Sequence, residues 1–403
     1  MAKISTRKRG KTWYYSIEAT EYTLDGKRRR VEKGGFATKK EAEEAGIIAQ
    51  AGLQKGNVAL LSEKCTVKEF LDEWITKKEK ELRPTTTARY RAAIKTIVAV
   101  LGSKNLQKLR PRDVEAFTQG LAANGLAHGT IGKTLSILKD ALSYAVFPME
   151  LLQSNPAQYI KVPKNVPAKV IERVVVRQDK LEELLTAFPF GHPLHLPIVI
   201  AYHTGMRMGE VLGLCWDCVD LSAETITVAR QMCYTASIGY YFGEPKTATS
   251  KRTIPIDGEL IALLKRWKVK QAANELECGG GYFYSYEGTK GELWQMSKTE
   301  SPEKGFTRRE LVCTHDNGKR VSHDTLMAEL RKHGVNSHSL RHTHATICAE
   351  NGAPIKGLAG RLGHANINIT ANLYTHETEK MKSEVLAAFE GEKISNVGKY
   401  VGK

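Results

Sequence analysis

Residues 155–170, NPAQYIKVPKNVPAKV, hold three prolines and three lysines with neither helical nor strand periodicity. Each proline pins φ and lacks an amide hydrogen, so no helix or strand ladder runs through this stretch, and the chain must fold as separate units on either side. A length of 403 residues allows two or three domains. Charge divides at the same place. Residues 1–170 carry 31 basic and 17 acidic side chains (+14), and residues 171–403 carry 29 and 27 (+2). The surplus of +16 implies a polyanion partner gripped mainly by the first two-fifths, while the neutral remainder must meet an anion through particular residues. No stretch reaches the 18 or so apolar residues of a membrane span, and the opening MAKISTRKRGKTWYY lacks the apolar core of a signal peptide, so a cytoplasmic protein is expected. Seven scattered cysteines suit reduced thiols, and the Cys215/Cys218 pair lacks the second pair that a zinc site needs, which makes it structural.

The runs TWYYSIEAT (12–20) and RRRVEKGGF (28–36) are rich in aromatic or β-branched residues and are joined through Asp25-Gly26, a hairpin signal. The following ATKKEAEEAGIIAQAGLQKG reads as a helix ending near Gly56. About sixty residues are too few for an enzyme core and enough for binding. Arg7, Lys8, Arg9, Lys27, Arg28, Arg29 and Arg30 crowd this module beside Trp13, Tyr14 and Tyr15, and such like charges repel one another unless a polyanion neutralises them. Residues 66–146 read as four helices, with Phe70, Leu71, Trp74 and Ile75 marking the first, Pro111 opening the third, and Ile131, Leu135, Leu138 and Leu142 lining the fourth. Arg89, Arg91, Lys95 and Lys133 on the polar faces suit phosphate contacts. Beyond residue 170 the pattern is mixed α/β, mainly helical, with strands near 224–233 and 251–256. Residues 278–310, with a GGG run and MSKTESPEKG, are expected to form a long, partly mobile connection.

Four local patterns in the neutral half carry chemistry. In TGMRMGE, Arg207 and Glu210 open a helix between apolar flanks, so Arg207 is partly enclosed and needs an anion. In EPKTATSKRTIPI, Lys246 lies on a turn before a strand and can swing into a neighbouring site as a proton donor, with Lys251 close by as a rival. In HSLRHTH, His338 and His342 stand four apart like metal ligands, but the general-base glutamate is absent and Arg341 repels a cation. An imidazole beside a guanidinium fork fits a phosphate better. In LGHANINITANLYTH, Tyr374 follows His364 by ten residues. Two arginines, a lysine, two histidines and a tyrosine, without a carboxylate pair or a metal box, suit attack by tyrosine on a phosphodiester.

TGMRMGE, HSLRH and LGH followed by nine residues and YTH occur in this order at these separations, and over about residues 1–390 the chain resembles the tyrosine recombinase (phage integrase) family, particularly integrases of conjugative transposons and temperate phages of Gram-positive bacteria. The resemblance implies a multidomain fold: an arm-type DNA-binding module of a small three-stranded β-sheet plus helix (1–60), an all-α, SAM-like core-binding domain (64–155), a linker (156–170), a mixed α/β, mainly helical catalytic domain (171–390) and a tail (391–403). It implies that Arg207 and Arg341 clamp the scissile phosphate, that Lys246 protonates the 5′ leaving group, and that His338 is a base or phosphate ligand. His364 is then a further donor, Tyr374 the nucleophile, and Glu210 the acid that orients Arg207. It implies no metal and no cofactor. The implied partners are double-stranded DNA with core and arm-type attachment sites, a homotetramer on that DNA, and an excisionase or host DNA-bending protein; the implied location is the bacterial cytoplasm at the nucleoid. The arm module argues against a relaxing type IB topoisomerase, and the intact residue set against a catalytically silent DNA-binding regulator.

Overall fold

The computed structural model describes residues 4–22, 28–54, 65–168, 174–244, 251–302, 304–336, 338–364 and 366–368, with side chains left out of the description at 18–22, 28–31 and 48–54. The chain divides into two units, Met1–Val170 and Ile171–Lys403. In the first, β1 (Ile4–Arg9), β2 (Thr12–Tyr22) and β3 (Arg28–Phe36) form an antiparallel sheet in that order, and α1 (Lys39–Gln54) packs on it. Alternation along β2 turns Tyr15 and Ile17 to one face, where Ile4, Phe36 and Ala45 close a small core.

The helical segment comprises α2 (Val67–Lys78), α3 (Pro84–Leu101), α4 (Pro111–Ala123) and α5 (His128–Val146). Thr66 and Glu69 close a capping box at the start of α2, and Pro84 and Pro111 stand in the first turns of α3 and α4, where a missing N–H costs nothing. Apolar residues at helical spacing, among them Phe70, Ile97, Phe117, Ile131 and Leu138, form one core. The stretch read as a linker begins against this bundle. Ala157 is fully buried in its core, Asn155 donates to the Lys139 carbonyl at 2.9 Å, and the Lys139 ammonium donates to the Ile160 carbonyl at 2.7 Å. Proline denies this stretch regular structure but not packing.

The second unit runs through α6 (Gln178–Ala187), α7 (His195–Thr204), α8 (Met208–Leu212), β4 (Val219–Asp220), β5 (Thr225–Val228), β6 (Gln231–Thr235), β7 (Gly239–Gly243), β8 (Arg252–Pro255), α9 (Gly258–Cys278), β9 (Phe283–Glu287), β10 (Leu293–Ser297), β11 (Thr307–Arg309), α10 (His323–Lys332), α11 (Ser339–Glu350) and α12 (Ile355–Leu362). The strands make small antiparallel sheets ordered β4-β5-β8, β6-β7 and β10-β9-β11. The last corrects the expectation of a mobile connection at 278–310. Its flanks, FYSYE and LWQMS, are rich in strand-forming aromatics, and the polar MSKTESPEKG only overlaps the end of β10 before the turn to β11. Arg309 bonds Glu287 at 2.7 Å and approaches Asp217 at 3.3 Å, and the Arg308 guanidinium lies 3.7 Å from the Tyr284 ring centroid, so side chains fasten this sheet to itself and to the segment after α8. Cys215 and Cys218 are free thiols. Burial pushes Cys215 up to about 12 and Cys218 up to about 11, as for cysteines that serve packing.

Candidate active site

α7, HLPIVIAYHT, is apolar almost all round and lies in the core, so its end is a fixed point. It stops at Gly205, in the left-handed conformation (φ +66°), where a Cβ would come within 2.7 Å of both His344 Cδ2 and Leu362 Cδ2. α12 stops in the same way at Gly363 (φ +68°). These two helix C-termini expose carbonyls, and the site's arginines are aimed by them. Arg341, on α11 and 5% exposed, donates through Nη1 to the Gly205 carbonyl (2.8 Å) and through Nη2 to the Leu362 carbonyl (2.7 Å). Arg207 donates through Nη2 to the Gly363 carbonyl (3.2 Å) and through Nη1 to Glu210 Oε1 (2.8 Å), while its backbone N–H donates to Glu210 Oε2 (2.9 Å). One acid thus caps the first turn of α8 and holds the arginine that precedes it.

His338 precedes α11 at the exposed rim, and His364 follows Gly363, half-buried. Partial desolvation, then the Arg341 and Arg207 charges, pushes the His338 imidazole below its ordinary pKa even at the rim, and burial with those charges and Arg252 pushes His364 down to about 4. Both are therefore neutral at pH 7. Burial lowers Arg341 to about 9, with Arg207 as the next cause, and it remains charged at neutral pH. Burial alone would raise Glu210, but its hydrogen bonds and charge contacts with Arg252 and Arg207 outweigh that and hold it below the usual carboxylate range.

Arg207, Glu210, His338, Arg341 and His364 are thus brought together from distant parts of the sequence. Lys246 and Tyr374 lie outside the described residues. Of the basic residues assigned to DNA, Lys27 lies outside them too, and Arg28, Arg29 and Arg30 are described only as backbone of β3. Arg7 donates from Nε to Glu32 at 3.0 Å and Arg9 stands 3.6 Å from the same acid, so part of that cluster is balanced internally. Arg91 pairs with Glu79, whereas Lys8, Arg89, Lys95 and Lys133 are exposed.

Sequence reasoning passed over Arg252, Arg361 and His344. Arg252 bonds Glu210 through Nη1 (3.3 Å) and Nη2 (2.9 Å) and the Arg361 carbonyl through Nε (2.6 Å). Its signal was legible: along β8 and the residue after it, Ile254 and Ile256 are buried at alternate positions, which puts Arg252 on the same inward face, where a guanidinium needs a buried acceptor. Arg361 ties α12 to the His344 ring and to the carbonyls of Pro255 and His203. Among the described residues, one cluster has metal-ligand spacing, His203, Asp257 and Glu259. There Asp257 already caps α9 and bonds His203 Nδ1 at 2.8 Å, which accounts for its position without an ion.

Three family models match the chain: the phage integrase family over residues 175–381, the phage integrase N-terminal SAM-like domain over 66–122, and the arm DNA-binding domain over 5–50. A tyrosine recombinase XerC-like protein of Caldanaerobacter subterraneus subsp. tengcongensis is 28% identical over 94% of this chain and 96% of its own length. The transposase from transposon Tn916 of Enterococcus faecalis is 25% identical over 69% of this chain and 66% of its own length. The ICEBs1 integrase of Bacillus subtilis is 25% identical over 68% of each. In fold, the chain is similar to the Tn1549 transposon integrase in complex with transposon right end DNA (TM-score 0.63, 21% identity, 80% of this chain and 99% of that one). It is also similar to a lambda integrase tetramer bound to a Holliday junction (TM-score 0.52, 16% identity, 89% and 92%). With an arm-module sheet, a helical core-binding segment and a catalytic domain in which Arg207 and Arg341 are brought to one site, this chain belongs to the phage integrase family of tyrosine recombinases.

Proposed function

We propose that this protein is a site-specific DNA recombinase that integrates and excises a mobile element by tyrosine-mediated cleavage and strand exchange. One observation carries the reading. Three guanidiniums, those of Arg207, Arg252 and Arg341, converge with a single carboxylate, Glu210, among the described residues of the site, a surplus of two positive charges in a largely buried cluster. Such a surplus is costly until an anion enters, and a phosphodiester offers two non-bridging oxygens at the spacing a guanidinium fork accepts. Arg207 and Arg341 each commit two of their five N–H groups to the protein among the described residues, which leaves donors for those oxygens.

In this reading the Tyr374 hydroxyl oxygen attacks phosphorus while its proton passes to neutral His338. The bond from phosphorus to the 5′ oxygen breaks, and Lys246 supplies the proton that oxygen takes up. The two arginines and neutral His364 stabilise the charge that develops on the phosphoryl oxygens. The 3′-phosphotyrosyl ester keeps the bond energy, so the 5′-hydroxyl of an exchanged strand reverses the step through a Holliday junction without an energy source. The relatives support a homotetramer on double-stranded DNA, with residues 1–60 reading arm-type sites, 64–155 binding the core site, 156–170 as the linker, 171–390 as the catalytic domain and 391–403 as the tail. An excisionase or host DNA-bending protein is the candidate accessory partner, and the bacterial cytoplasm, at the nucleoid, is the expected location. Among the described residues, no helix is long and apolar enough to cross a membrane.

The test is a nicked attachment-site duplex from which the short fragment bearing the freed 5′-hydroxyl diffuses away. Wild-type protein should accumulate a detergent-resistant covalent adduct and Tyr374→Phe none. Equal trapping by the two would overturn the reading.

A further inference from the structure

We infer that Arg252 is a positioning residue for strand cleavage, acting through the Glu210 carboxylate to hold the Arg207 guanidinium in register with the scissile phosphate. This rests on the proposed role of Arg207 as a phosphate clamp. The Arg252 side chain is 6% exposed and Glu210 4%, so their contact is sealed from water. Glu210 accepts from four N–H groups, two on Arg207 and two on Arg252. A buried carboxylate with only one arginine beside it would turn both oxygens towards that arginine's fork. With Arg252 across its far side, Glu210 leaves Arg207 one side-chain bond and one backbone bond. The rest of the Arg207 guanidinium, whose side chain is 35% exposed, is then left accessible to an anion.

A second contact reaches the same arginine. Gly363 carries the carbonyl that holds Arg207 Nη2, and a Cβ at Gly363 would stand 3.1 Å from Arg252 Nη1 and 3.3 Å from its Cδ. Arg252 therefore packs against the very residue that supplies the other acceptor, while its Nε anchors to the Arg361 carbonyl two residues earlier. Both of the side-chain anchors of Arg207 are buttressed by one residue, on a strand that follows directly from the segment bearing Lys246. Arg252 itself is committed to protein acceptors, so it acts through Arg207 rather than on substrate.

The experiment measures single-turnover cleavage by the full-length protein at saturating DNA on two nicked duplexes, one with an ordinary scissile phosphate and one with a neutral methylphosphonate there. The variants are Arg252→Met, Arg252→Lys, Arg207→Ala and the double variant Arg207→Ala/Arg252→Met. On the phosphate, Arg252→Met should slow cleavage about 100-fold, with DNA affinity held within about threefold. Arg252→Lys should recover roughly a tenth to a third of the wild-type rate, because it restores the charge but not the fork. The double variant should be no slower than Arg207→Ala, since the two residues act as one unit. On the methylphosphonate, which carries no negative charge to clamp, Arg252→Met should cost less than about threefold relative to wild type. Equal losses on both duplexes, or a double variant slower by the product of the single losses, would make Arg252 merely structural and overturn the inference. If Arg252→Met does not fold, Arg252→Lys is compared across the two duplexes in its place, and an unequal loss sustains the inference. Should Arg207→Ala cleave the phosphate normally, the clamp reading falls and the inference with it. Should Arg207→Ala be crippled while both Arg252 variants cleave normally, only the inference falls.

Discussion

His344 shows how a partner decides what a residue can do. It is 8% exposed, its Nδ1 lies 2.9 Å from the Tyr202 carbonyl, and its Nε2 lies 2.9 Å from Arg361 Nε. A carbonyl only accepts and a guanidinium only donates, so the ring must be neutral with its hydrogen on Nδ1. Protonation would break the bond from Arg361 and set two cations together. Burial, and then the Arg361 charge, push His344 down to about 4, and His364 is also pushed down to about 4. In the unfolded chain both return to about 6.5. Between those values the unfolded state binds more protons, so stability rises with pH there and is lost as pH falls from about 6.5 towards 4. Thermal melts of the full-length protein should show a steepening loss across this window. His344→Asn, which keeps a donor near the Nδ1 position and cannot titrate, should flatten the loss while lowering the melting temperature at pH 7. An unchanged pH slope would show that His344 does not carry it.

Elements in the second unit are joined by single buried polar side chains as much as by apolar contact. Gln271 on α9, 8% exposed, donates from Nε2 to the carbonyls of Leu311 and Val312 and to Thr314 Oγ1, and its Oε1 accepts from Trp216 Nε1 at 2.8 Å. Trp267, one turn earlier, donates to the Val312 carbonyl at 2.8 Å. α9 thus supplies the hydrogen bonds that residues 311–314, which are not in a regular strand, would otherwise leave unmade. Gln271→Met keeps the volume and removes these bonds, and should destabilise by roughly 2–3 kcal/mol, read as a lower denaturant midpoint at constant m. A shift under about 0.5 kcal/mol would mean that neighbours or water replace the bonds. Segment 278–310 teaches the complementary lesson. Glycines and a polar run mark where turns fall, but whether the strands between them pair depends on a partner, and β9 finds β10 on one side and β11 on the other.

For the whole molecule, grip and chemistry are expected to separate. Replacing Arg28, Arg29 and Arg30 by alanine should weaken arm-site binding and reduce the magnitude of its salt slope by up to about 3, while cleavage of a preassembled nicked core site stays near wild type. A parallel loss of cleavage would contradict the separation. Much of the architecture was legible beforehand. Helical periodicity marked α2 to α5, the aromatic and β-branched runs at 12–20 and 28–36 marked β2 and β3, with Asp25-Gly26 outside the described residues, and the order of TGMRMGE, HSLRH and LGH pointed to Arg207, Arg341, His338 and His364, which the structure brings together. These are properties of single segments: spacing decides which face of a helix is apolar, and residue type decides what a side chain can donate. Only tertiary structure decided which acceptors those donors find. That Glu210 serves two arginines, that Arg341 is held by carbonyls rather than carboxylates, and that the acceptor Arg252 finds is Glu210 depend on where α7, α8, β8, α11 and α12 meet. Local sequence carries no record of that meeting. It is set by burial of the shared core, and the hydrogen bonds of the site are whatever that packing brings within 3 Å or so.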